Sequence, residues 1–144
     1  MKTWLPVVGR LQIEKGNIRI ILPYDFCSYY KQFIDKEYKI FSNLPMHNSH
    51  VTVVNTSIHK QVFDESLDEV KGLYGRVPIR LEYNPFIKMG GFTKNFRNWY
   101  VIVRGEILDD IARICNIPPP DKDFHATISS TKNGVKPYIF FKKL

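Results

Sequence analysis

Two tetrapeptides far apart in the chain, His50-Val51-Thr52-Val53 and His125-Ala126-Thr127-Ile128, repeat one pattern of histidine, apolar residue, threonine, apolar residue. In an extended strand successive side chains point to opposite faces. In each segment the histidine and threonine therefore share one face, and the apolar pair shares the other. The pattern asks for a sheet with one buried face and one face carrying imidazoles and hydroxyls.

The remaining periodicities alternate between sheet and helix. Val7 to Glu14, the turn Lys15-Gly16-Asn17 and Ile18 to Leu22 predict a hairpin, with glycine supplying the positive φ of a tight reversal. A helix is expected from about Phe26. There Phe26, Tyr29, Tyr30, Phe33 and Ile34 follow helical spacing, and Asp25 is placed to cap the first turn. His50 to Val54 has the branched residues of a buried strand. A second helix is expected within Ile58 to Leu73, burying Phe63, Leu67 and Val70 and stopping at Gly72 or Gly75. Strands follow at Pro78 to Tyr83, Phe86 to Met89 and Asn98 to Arg104, with Gly90-Gly91 near a turn and Trp99 alternating inward with Val101 and Val103. A third helix from about Ile107 to Cys115 ends at Pro118-Pro119-Pro120. His125 to Ser130 and Tyr138 to Phe141 would then pair across Asn133-Gly134. The fold class expected is α+β, as a single domain over residues 1–144, in which two similar halves each bring up one histidine-bearing strand.

Length and composition set bounds on partners. A chain of 144 residues can bury one core but hardly two. No apolar run approaches a membrane span, and the first residues lack the apolar stretch of a signal peptide, so a soluble, cytoplasmic protein without a membrane partner is expected. Cys27 and Cys115 lie in apolar-periodic segments with no CxxC spacing and are expected to be buried core thiols. The net charge of +7, with 21 Lys and Arg against 14 Asp and Glu, favours a polyanionic partner, and the 14% of aromatic residues offers faces on which bases could stack.

The two motifs also suit a definite chemistry. Imidazoles titrate near neutral pH, so one of a facing pair can take a proton while the other gives one. The hydroxyls of Thr52 and Thr127 add two hydrogen-bond donors beside them. A metal site is not expected. His47 and His50 meet at a loop-to-strand junction where their spacing does not align two ligands, and no Asp, Glu or Cys cluster adjoins either motif. His47 and His59 are expected to face solvent.

The runs Asn48-Ser49-His50-Val51-Thr52-Val53-Val54 and Phe124-His125-Ala126-Thr127-Ile128-Ser129, with Trp99 to Val103 and Leu108 before the second, resemble the 2H phosphoesterases. That family is named for two His-x-Thr/Ser motifs. The resemblance is greatest to its small phage-type, Swiss-Army-knife RNA-repair-like branch, and it covers most of the chain. It implies a two-lobed, pseudo-symmetric fold, with antiparallel sheets flanked by helices around a central groove. It also implies a metal-independent phosphodiesterase without a cofactor, whose catalytic residues are His50, Thr52, His125 and Thr127.

The substrates so implied are RNA-end 2′,3′-cyclic phosphates or 2′-5′-linked nucleotides. A phage-type nuclease that degrades cyclic oligonucleotide second messengers, acting in the host-cell cytoplasm against anti-phage (CBASS) signalling, is the alternative within the enzyme class. A non-catalytic RNA- or nucleotide-binding module is the alternative outside it. Few residues follow Ile128 to close over a small cyclic ligand, which tilts the expectation toward RNA ends. Lys94, Arg97 and Tyr138 are the candidate substrate-binding residues, each equally readable as a surface charge or a strand residue. No obligate protein partner is implied.

Overall fold

The computed structural model describes residues 3–45, 48–90, 96–118, 120 and 123–132. Ten elements follow in order: β1 (Leu5–Glu14), β2 (Asn17–Ile21), α1 (Tyr24–Tyr38), β3 (His50–Val54), α2 (Asp64–Tyr74), β4 (Ile79–Tyr83), β5 (Lys88–Gly90), β6 (Phe96–Arg104), α3 (Glu106–Ile114) and β7 (His125–Lys132). The chain is α+β. Its strands form an antiparallel sheet in the order β4-β1-β2-β3-β7-β6-β5, and β4 also pairs with β6, so six strands make a closed circuit.

The first hairpin forms as the sequence predicts. Lys15 and Gly16 both take positive φ (52° and 82°), the geometry of a two-residue turn whose twist matches the strands, and Glu14 pairs with Asn17. β1 is long because it serves two partners: Arg10 to Glu14 pair with β2, and Leu5 to Gly9 pair with β4. Gly9 sits where the partner changes. A Cβ there would lie 2.7 Å from both the Ile20 Cγ2 and the Ile21 carbonyl oxygen, so only glycine lets the strands approach this closely.

One face of the sheet is the core. Ile18 and Ile20 of β2, Val51 and Val53 of β3, Trp99, Val101 and Val103 of β6, and Ala126 and Ile128 of β7 are buried together with Leu108 and Ile111 of α3, Val70 of α2, and Phe26 and Ile34 of α1. Cys27 and Cys115 are buried free thiols in the same cluster. The loop from α1 to β3 is held to the helix by Asp35, which accepts from the Ser42 amide at 2.9 Å and from its hydroxyl, and which also pairs with Lys31. No helix of the described residues is long and apolar enough to cross a membrane.

Several boundaries depart from the sequence expectation. α1 begins at Tyr24, so Asp25 lies inside its first turn and favours the helix dipole there; Pro23 occupies the N-cap, with no side-chain cap bond. Tyr29 and Phe33 keep helical spacing but remain exposed, because the sheet covers only the Phe26, Cys27 and Ile34 stripe. α2 begins at Asp64, leaving Ile58 and Phe63 outside the helix and exposed. Phe86 precedes β5 and is also exposed. α3 ends before the prolines, where Asn116 turns left-handed at φ 55°. The Asn133-Gly134 turn and the Tyr138 to Phe141 strand lie outside the described residues.

Candidate active site

β3 and β7 are neighbours in the sheet, antiparallel, with Val51 opposite Ala126. That register sets His50 across from Thr127 and Thr52 across from His125. Side chains that face each other across an antiparallel pair share a face, so all four stand together on the side opposite the buried Val51 and Ala126. The two histidines are diagonal neighbours, about 7 Å apart at their Cβ atoms by ordinary sheet geometry. Two imidazoles at that separation can reach opposite sides of one phosphate.

Backbone contacts fix the junction of the two strands. The Ser49 hydroxyl donates to the Thr127 carbonyl at 2.6 Å, and Asn43 and Ser130 exchange reciprocal amide-to-carbonyl bonds of 2.7 and 2.9 Å. The imidazoles are anchored in matching ways. His50 Nδ1 lies 3.1 Å from the carbonyl oxygen of Asn48, two residues earlier; since a carbonyl only accepts, Nδ1 carries the proton. Asn48 takes the left-handed conformation, φ 62°, as it offers that carbonyl. His125 is likewise hydrogen-bonded to the backbone of Asp123, again two residues earlier.

His125 also carries an electrostatic bias. Part of the residue is open to solvent, yet loss of water around the ring pushes its pKa below the ordinary 6.5, an effect only partly offset by the Asp123 carbonyl. Tyr100 of β6 contributes to that crowding, meeting the His125 ring edge-on at 5.4 Å between centroids. The neutral form of His125 is favoured at pH 7.

Following the registers outward gives two rows across this face. One row runs Arg10, Ile21, His50, Thr127, Tyr100, Lys88, and the other runs Gln12, Arg19, Thr52, His125, Ile102. The Arg19 guanidinium beside Thr52 is steered by Gln12 at 3.5 Å and Glu14 at 4.0 Å. A cleft of ≈ 740 Å³ opens against His125 and Thr127, lined also by Tyr100, Lys88, Asn98, Arg104, Asp109 and Asp123. A second, of ≈ 320 Å³, opens near Asn48 and Ile21, with Arg10 and Tyr24 on its walls. The Tyr100 ring lies close over Gly90, where a Cβ would come within 3.0 Å of it.

Of the sequence-predicted residues, the structure brings His50, Thr52, His125 and Thr127 together. Arg97 is elsewhere: it pairs with the buried Thr131 and alternates with buried Trp99, so it lies on the core side of β6, its Nε buried with no hydrogen-bond partner among the described residues. Lys94, Tyr138 and His47 lie outside the described residues. His59 is half-buried and does not face solvent freely; its Nδ1 accepts the Asn55 amide at 3.0 Å, closing the turn after β3. Among the described residues no group of three or more His, Cys, Asp or Glu is placed to hold a metal ion.

Comparison with protein-family models, curated proteins and solved structures gives no match.

Tyr100, Lys88 and Asn48 complete the surroundings of the quartet, and of these only Tyr100 had a signal in the sequence. With Trp99, Val101 and Val103 inward, strand alternation puts Tyr100 and Ile102 on the outer face.

Proposed function

We propose that the chain is a 2H-type phosphodiesterase that acts without a metal, opening 2′,3′-cyclic phosphates or cleaving 2′-5′ linkages in RNA-derived nucleotides. The observation that carries this reading is the quartet: two imidazoles and two threonine hydroxyls on one face of adjacent strands, each imidazole held to the carbonyl two residues before it. In the hydrolytic step a water oxygen bonds to phosphorus as the P–O bond to the ribose oxygen breaks. One imidazole takes the water proton and the other gives a proton to the departing oxygen, so water is consumed and the protons balance. His125, biased toward the neutral form, suits the base; His50, whose Nδ1–H donates to the Asn48 carbonyl, would in its imidazolium form present Nε2–H as the acid. Thr52 and Thr127 would donate to the non-bridging oxygens, where charge grows in the transition state.

The test is turnover in EDTA of 2′,3′-cyclic mononucleotides, 2′-5′ oligoadenylate and cyclic dinucleotides, by wild type, His50→Ala and His125→Ala. Turnover by wild type alone is the expected result. Binding without turnover would instead support a recognition module, and activity abolished by EDTA would overturn the metal-free mechanism.

A further inference from the structure

The quartet sits between two clefts, and each cleft offers a tyrosine and a cation, the larger holding Arg104 as well, already paired with Glu82. On the β7 side, Tyr100 and Lys88 continue the row beyond Thr127, with Asp109 and Asp123 on the wall. On the β3 side, Arg10 continues the row beyond His50, and Tyr24 at the start of α1 completes the cleft. Arg10 and Lys88 each stand two strands from the quartet, about 10 Å at the usual strand spacing. That is close to the span of one nucleotide.

A bare phosphate would not fit the larger cleft well. Arg104 there is already paired with Glu82 at 3.2 Å, and two carboxylates repel an anion. The same carboxylates accept hydrogen bonds from ribose hydroxyls or exocyclic amines, and Tyr100 gives a base a ring to stack on. A terminal 2′,3′-cyclic phosphate carries one nucleoside and would leave one cleft empty.

We infer that the site takes a linkage flanked by a nucleotide on both sides, one nucleoside seated at Tyr100 and Lys88 and the other at Arg10 and Tyr24. This rests on the phosphodiesterase reading and sharpens it: the preferred substrate is an oligonucleotide, linear or cyclic, over a cyclic mononucleotide.

The experiment compares kcat/KM for a 2′-5′-linked adenylate trimer with that for adenosine 2′,3′-cyclic monophosphate. It uses wild type, Arg10→Ala, Lys88→Ala and, as a control on the helical side, Lys36→Ala. Wild type prefers the trimer, and Arg10→Ala and Lys88→Ala each cut that preference by about tenfold or more, the scale of a lost charge or stacking contact at such a site. Lys36→Ala keeps it. Equal use of the two substrates, or an unchanged preference in both cleft variants, overturns the two-sided site and leaves the phosphodiesterase reading standing. Should wild type cleave neither substrate, the phosphodiesterase reading fails, and binding of a fluorescent trimer decides the inference. Affinity that weakens about tenfold in Arg10→Ala and Lys88→Ala upholds the two-sided site; no binding, or binding that the variants do not weaken, overturns it.

Discussion

Thr52 stands directly across the β3–β7 junction from His125, as His50 stands across from Thr127, so each imidazole has the other motif's threonine as a direct cross-strand neighbour. An imidazole and a hydroxyl thus come in two crossed pairs, which under the proposed mechanism join a proton-transfer group from one strand to an oxyanion donor from the other.

Crossed pairing predicts that either hydroxyl matters to catalysis and neither to folding. Thr52→Val and Thr127→Val keep the shape and remove one donor. Each is expected to lower kcat by about 10²-fold, the scale of a lost oxyanion contact, with the circular-dichroism spectrum and melting temperature retained. Thr52 is exposed, which makes it the cleaner of the two.

The lowered pKa of His125 fixes the sign of the pH dependence. With His125 as the base, the acid limb of kcat/KM falls with a midpoint below 6.5, and Tyr100→Ala, by letting water back to the ring, moves that midpoint upward. Stability follows the same sign. The unfolded chain takes up the His125 proton at a higher pH than the folded chain, so the contribution present above 6.5 is lost as pH falls through the folded value. Melting temperatures of His125→Asn should therefore decline less than those of wild type as the pH is lowered below 6.5.

At Gly9 the cost of a single methyl group is steric. Gly9→Ala drives a Cβ into Ile20 and the Ile21 backbone and should destabilise the protein by about 1–3 kcal/mol, measured by urea unfolding.

Asn48 is predicted to act through its backbone. Asn48→Gly, which tolerates φ 62°, should keep the His50 anchor and most of the turnover. Asn48→Val, strained at that φ, should lower kcat about tenfold by displacing the imidazole. Recovery of kcat in the glycine variant separates this positioning role from any role of the amide side chain.

Much of this arrangement is legible locally. His50 to Val54 reads as a strand from branched residues and forms one with the same ends. Inward Trp99, Val101 and Val103 follow from alternation, and the same alternation places Arg97 inward and Tyr100 outward, since Arg97 and Trp99 are two residues apart. Local pattern fails where a neighbour decides. Phe63 has helical spacing with Leu67 and Val70, but the helix begins one residue after it; Tyr29 and Phe33 extend the α1 stripe beyond what the sheet covers. The adjacency of β3 and β7, on which the site depends, is a pairing between distant segments set by how the circuit of strands closes. Asn48 is of a type that enters the left-handed region readily, but residue type alone does not say that it turns there to anchor His50.

The most direct test of paired imidazoles is a double-mutant cycle on a 2′-5′-linked oligonucleotide in EDTA, with His50→Ala, His125→Ala and the double variant. Two groups serving one phosphate act as a unit: each single substitution should lower kcat by about 10³-fold or more, and the double should lose little beyond the worse single. Single variants that keep near-wild-type turnover, or losses that multiply as independent factors, would contradict the account.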